Sequence, residues 1–219
     1  GVNTGAKIAS TDYIVYAHDD FYFLPEWDLN WISEIKKLKN NYFYLSGTMV
    51  QNGQINYDCG DTLENFDEQK LLSNYKNINY HDFQGSTWAP HIVHKNLWNR
   101  VGGFSEEFFP GTGSDPDLNL KLWNEGVRIF KGVGKCMVYH FGSIVTRKKF
   151  KHDKSIITDS GSKGSKIFLK KWGFSIKFFK KYYLKSKSNL KCRVSININF
   201  TGFFHISECL AQCGLACTQ

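Results

Sequence analysis

The chain of 219 residues contains no uninterrupted apolar stretch approaching the roughly 18 residues of a membrane-spanning helix, and no basic-then-apolar leader opens it. A cytoplasmic location is therefore expected, with the reservation that a segment upstream of Gly1 would conceal a leader. No internal repeat is evident. The six cysteines lack the paired short spacing of a structural zinc site: Cys209, Cys213 and Cys217 recur every four residues without adjacent histidines, and Cys59, Cys136 and Cys192 are isolated. Reduced, partly buried thiols are expected. No base-reading motif accompanies the charge, so nucleic acid is not an expected partner.

What is present is enough apolar matter for one sizeable core, with 42% hydrophobic and 16% aromatic residues. The net charge of +8 is unevenly spread. Residues 147–193 hold 16 Lys and Arg against 2 Asp, a surplus of +14, which leaves −6 for the remainder. Three parts follow: a main domain over 1–146, a basic amphipathic helical tail over 147–188, and a segment 189–219 that reads unlike the rest. In the tail, Phe168, Trp172, Phe178, Phe179 and Tyr183 interleave with Lys170, Lys171, Lys180 and Lys181. A helix over 161–187 lying on an anionic membrane surface and a helix packed on the main domain are both compatible with this pattern.

Two acidic clusters carry the chemistry. Asp12-Tyr13-Ile14-Val15-Tyr16-Ala17 is a strand-length run that stops at His18-Asp19-Asp20, and carboxylates at the carboxyl end of a strand sit where open α/β sheets bind ligands. Such oxygen ligands suit Mg²⁺ or Mn²⁺ carrying substrate phosphates, although ordinary turn residues also read this way. The second cluster, Ser114-Asp115-Pro116-Asp117-Leu118, opens a helix with a capping-box-like spacing from Ser114 to Asp117. Either carboxylate can stabilise the helix start, and one can do so while acting as a base.

The order Asn3-Thr4-Gly5, a strand ending in Asp19-Asp20, Pro25-Glu26-Trp27, Val101-Gly102-Gly103-Phe104-Ser105-Glu106, Ser114-Asp115-Pro116-Asp117-Leu118, Gly126 and Val138-Tyr139-His140 resembles the family 2 glycosyltransferases of GT-A fold over roughly residues 2–150. The resemblance implies an α/β fold with a mixed sheet flanked by helices, lacking its N-terminal strands, which normally hold the nucleotide base. It implies inverting transfer of a sugar from a nucleotide-sugar donor to a hydroxyl of a glycan or lipid-linked acceptor. By that likeness Asp20 is the principal metal ligand, His18 and His140 are further ligands, and Asn3, Gly5 and Asp19 face the donor. Asp115 is the catalytic base, Asp117 its supporting carboxylate, and Trp88 and His91 acceptor-site residues. Core packing for Trp88 and a structural role for His140 are the plainer readings. Two departures stand out: His18 replaces the first carboxylate of the usual Asp-x-Asp, which suits Mn²⁺ better than Mg²⁺, and Ser114 stands where Glu is usual. A nucleotidyltransferase, and a non-catalytic membrane-surface or carbohydrate-binding remnant, are the alternatives.

The expected elements are a short helix after Asn3, a strand over 13–18, and a helix from Trp27 to Lys39 with Trp27, Trp31, Ile32, Ile35 and Leu38 inward. A strand over Tyr42–Val50, a turn over 51–54, a strand-like Ile55-Asn56-Tyr57 and an irregular loop over 59–84 come next. A strand over Gln84–His94, a helix from Lys95 to Gly102, and two short strands, Arg128–Val133 and Cys136–His140, complete the reading.

Overall fold

Burial on both faces marks the centre of the sheet. In β3 (Phe43–Val50), Phe43 and Leu45 face one side and Tyr44 the other, all within 1% exposure, so this strand lies between two apolar layers. In a computed structural model describing residues 1–109, 111–142 and 154–185, with side chains of the last segment from Lys163 onward, β3 is central. Its neighbours are β5 (His91–His94), antiparallel, and β6 (Ile129–His140), parallel. β1 (Tyr13–Tyr16) pairs with β5, β2 (Phe21–Phe23) with the end of β6, and the two-residue β4 (Phe83–Gln84) also with β6. The result is a mixed α/β fold on the order β1-β5-β3-β6-β2.

β1 and β2 stand at opposite ends of that order yet are joined by four residues. Five Cα steps reach about 18 Å at most, whereas four inter-strand spacings of a flat sheet are about 19 Å. The sheet therefore curls, and Ala17-His18-Asp19-Asp20 spans the gap at its end. Phe141 N–H closes the seam by donating to the Asp20 carbonyl at 3.1 Å.

Helices cover both faces. On one, α2 (Trp27–Lys37) lays Trp31 with Trp27, Ile35 and Leu38 on Phe43, Leu45, Ile92 and Val133. On the other, α4 (Lys95–Val101) and α5 (Ser114–Asn124) bury Leu97, Trp98, Leu118 and Leu122 against Tyr44, Val93 and Phe130. The same layer takes Phe168 of α6 (Lys154–Trp172), Phe179 of α7 (Ile176–Phe179) and Leu184 of the wider turn continuing α7, all at 0% exposure. Burying each such side chain is worth about 1.5–3 kcal/mol.

Several expectations change. The basic stretch is not one helix: Gly173, at φ 79, ends α6 and turns the chain into α7. In α2, Ile32 is 45% exposed while Glu34 is buried, because Glu34 pairs with Lys37 and with Lys131. The irregular loop holds α3 (Glu68–Asn74), N-capped by Asp67 accepting from Lys70 N–H at 2.8 Å, with Leu71 fully buried among Leu24, Val50, Cys59 and Tyr139. Ile55 makes only an isolated bridge to Val50, and the strand over 84–94 is two separate pieces. The two C-terminal strands are one, although its pairing with β3 slips between Ser46 and Thr48, where residues 133–136 are accommodated. Gly134 sits in that slip because a Cβ there would lie 2.0 Å from the Tyr80 carbonyl oxygen. Cys59 and Cys136 are buried free thiols. The division near Thr146, the segment 189–219 and Cys192, Cys209, Cys213 and Cys217 lie outside the described residues.

Candidate active site

The curl places the 17–20 connection beside the end of β6. One ligand atom each from His18, Asp20 and His140 lies within 4.8 Å of the others, and His140 Nε2 is 3.2 Å from Asp20 Oδ2. The sheet register explains the meeting: Phe21 pairs with His140, so Asp20 and His140 face each other across the seam. His140 is held from behind. Its Nδ1 lies 3.0 Å from the Asn52 carbonyl, and the Asn52 amide donates to the His140 carbonyl at 3.0 Å. Nδ1 therefore donates to that carbonyl, and the ring is turned so that Nε2 faces Asp20 Oδ2 and the cluster. Asn52 reaches this position from the left-handed turn after β3, at φ 48. His18 stacks on Phe21 at 4.8 Å, and partial burial of its ring lowers its pKa against the pull of Asp20. Asp19 is exposed beside this group.

Two imidazoles and a carboxylate make a donor set that fits Mn²⁺ better than Mg²⁺. Ligands at about 2.2 Å from an ion lie up to about 4.4 Å apart, close to the 4.8 Å within which the three ligand atoms fall.

The second acidic cluster stands at the start of α5. The expected capping box is not formed: Gly113, at φ 87, is the N-cap, Ser114 Oγ donates back to the Gly111 carbonyl at 2.5 Å, and Asp117 faces inward at 0% exposure. Asp117 Oδ2 accepts from Ser105 Oγ at 2.6 Å, and Oδ1 accepts from Trp172 Nε1 at 2.8 Å and Lys171 Nζ at 2.9 Å. Lys171 also meets Glu107 at 2.7 Å. Gly164 allows α6 this close, since a Cβ there would fall 2.0 Å from the Thr112 carbonyl oxygen.

Asp115 has the opposite environment. Its Oδ1 is buried without a hydrogen-bond partner, and burial raises its pKa to about 7 against the opposing pull of Lys180. Burial in turn lowers the pKa of Lys180. Tyr16 feels the charges of Asp115, Asp19 and Asp20, which add to burial in raising its hydroxyl to about 12, and its ring lies against those of His18 and His91.

Beneath it lies a buried polar layer. The Tyr44 hydroxyl donates to the Trp88 carbonyl at 3.1 Å and meets His91 Nδ1 at 3.0 Å. The Asn119 amide lies beside Tyr44 without a well-formed hydrogen bond. His91 is 0% exposed, and burial depresses its pKa to about 3. It touches Tyr16 and Phe104 and lies under the cleft floor, so a direct acceptor contact by His91 is replaced by support of Tyr16 and Tyr44. Trp88 is half-buried, donates to the Gly47 carbonyl at 3.1 Å and stacks on Phe83, which fits the packing role. The Asn3 amide is spent in two hydrogen bonds with the Phe104 backbone, at 2.8 and 2.9 Å, and acts as a strut. Gly5, by contrast, lines an open groove of about 440 Å³ that runs along β1 to Tyr16 and Ala17.

The structure therefore brings together His18, Asp20 and His140, with Tyr16 in the electrostatic field of both Asp20 and Asp115. Tyr16, Tyr44, Asn52, Lys171, Trp172 and Lys180 are additions that sequence reading did not assign to the site. Their only signal was the polar or basic residue type, because the contacts span long sequence separations. Comparison with protein-family models and with curated proteins gave no match.

Proposed function

We propose that this chain is the catalytic part of an inverting glycosyltransferase of family 2 and GT-A fold, acting from a nucleotide-sugar donor on a hydroxyl of a glycan or lipid-linked acceptor at the cytoplasmic face of a membrane. The observation that carries the reading is a buried Asp115 carboxyl, raised to about pH 7, in a chain that also gathers a His18, Asp20 and His140 cluster, with Tyr16 in the field of Asp115 and Asp20 alike. Bases work best when their pKa lies near the operating pH. The motif order supports the family reading.

In the proposed reaction Asp115 takes the proton of the acceptor hydroxyl as that oxygen forms its bond to the anomeric carbon. The bond from that carbon to the donor diphosphate breaks, and the diphosphate leaves with the electron pair. A divalent ion held by Asp20, His18 and His140 would neutralise charge on the departing diphosphate. Tyr16, still protonated at neutral pH, offers a hydroxyl in the field of both Asp115 and Asp20. Asp117 keeps α5 in place by tying it to Lys171, Trp172 and Ser105.

The test is product analysis with a panel of nucleotide sugars and Mn²⁺. Release of nucleoside diphosphate supports glycosyl transfer. Pyrophosphate would indicate a nucleotidyltransferase, and no product from a folded sample would favour a binding module.

A further inference from the structure

We infer that the outer face of residues 163–185 is a docking surface for an anionic phospholipid bilayer. It stands apart from the reading of the catalytic centre and rests on what the segment leaves outside after its packing is complete. Phe168, Phe179 and Leu184 are spent on the core, and Lys171 on Asp117 and Glu107. Outside remain Leu169, Phe178 and Tyr182 at 50%, 43% and 51% exposure. Phe178 and Tyr182 touch, with ring centres 4.6 Å apart, and Lys181 Nζ lies 4.9 Å from the Tyr182 ring. Six lysines of the same segment are exposed, Lys163, Lys166, Lys170, Lys177, Lys181 and Lys185, and residues 163–185 contain no Asp or Glu.

Single exposed apolar residues need no explanation, but an aromatic pair flanked by a row of Lys177, Lys181 and Lys185 at four-residue spacing combines two attractions that a bilayer surface offers together. The cations meet lipid phosphate and the rings enter the headgroup boundary. The cations are all lysine, with no arginine in 163–185. Lysine is a point charge suited to a diffuse anionic surface, whereas bidentate recognition of phosphopeptides or nucleic acid favours arginine. Among the described residues no helix is long and apolar enough to cross a membrane, so the attachment would be peripheral.

The test is cosedimentation of the full chain with vesicles of phosphatidylcholine alone and with about one-third phosphatidylglycerol. Binding is expected only with the anionic lipid and should weaken as salt rises, because exposed charges are screened beyond a Debye length of about 8 Å at physiological ionic strength. Changing Lys177, Lys181 and Lys185 to Gln should weaken binding by about five-fold per lysine. Phe178→Ser with Tyr182→Ser should weaken it in a manner that salt does not reproduce. A charge-matched control at Lys7, Lys36 and Lys39, all exposed and outside 163–185, should bind as wild type, and circular dichroism melts confirm that each variant folds. Equal loss in the control, absence of binding to anionic vesicles, or retention on transfer RNA without retention on vesicles would each overturn the proposal.

Discussion

Replacing Asp115 by Asn separates catalysis from stability at a single position. The carboxyl is buried with Oδ1 unpaired, so the folded protein holds its proton more tightly than the unfolded chain does, with a pKa of about 7 instead of 3.8. A carboxyl whose folded pKa is raised contributes its full stability below the unfolded value and loses it as pH climbs through the folded value. Between pH 4 and pH 8, Asp115 should therefore cost the native state up to about 4 kcal/mol, at 1.36 kcal/mol per pKa unit. Asn is neutral at every pH and close in shape. At pH 4 the variant and the wild type should melt together, whereas at pH 8 the variant should be more stable by about 2–4 kcal/mol. For a chain of this length that is a rise in Tm of roughly 5–15 °C.

Turnover should move the other way, falling at least about 100-fold at pH 8 with the loss of the general base. Scanning calorimetry at the two pH values, with nucleoside diphosphate release on the same samples, reads both effects. Equal melting of variant and wild type at pH 8 would refute the account of an unpaired buried carboxyl. Early melting with turnover retained would mean that Asp115 serves only the start of α5.

Four further outcomes are expected. Lys180→Met removes the charge that lowers the Asp115 pKa, so the acid limb of the pH–rate profile should shift to higher pH; an unmoved limb would disconnect the two groups. Asp117→Asn breaks the ion pair with Lys171 and should destabilise the fold by about 3 kcal/mol, in the range for a broken buried pair, with faster amide exchange over 163–185. Exchange that rises elsewhere and not there would contradict the anchoring role. Calorimetric titration should show Mn²⁺ binding weakened at least tenfold by His140→Ala or Asp20→Asn, and unchanged affinity would remove the cluster from the mechanism. Lipid cosedimentation, described above, tests the outer face of 163–185.

The elements that periodicity reveals were legible because their burial is set locally. Trp27, Trp31, Ile35 and Leu38 share a helix face, and Phe43, Tyr44 and Leu45 alternate between two layers. Ile32, one residue beyond Trp31, falls outside the stripe, and a buried Glu34 becomes tolerable only because Lys131 arrives from β6, 97 positions on. The helix α3 was not legible since it buries Leu71 alone among its seven residues. A break at Gly173 was readable as a helix stop, yet the unbroken run of lysines and aromatics around it suggested one longer helix.

In the site, position was legible and environment was not. The strand end at Asp19-Asp20 and the helix start at Asp115 stand out in sequence, but Asn52, which orients His140, looks only like a turn residue. The sharpest case is the pair Asp115 and Asp117. Two residues apart on one helix and chemically identical, they differ in their neighbours: Asp117 accepts from Ser105, Lys171 and Trp172, whereas Asp115 Oδ1 accepts from nothing. Two of the donors to Asp117 come from the end of α6, more than fifty residues away, and Lys180, the cation acting on Asp115, comes from just beyond α7. The basic C-terminal segment thus supplies the partners that hold Asp117, while burial raises the Asp115 pKa against the pull of Lys180. In the proposed reaction an anchoring carboxylate and a base would stand side by side on one helix, and catalysis by Asp115 would depend on the packing of α6 and α7 on the sheet.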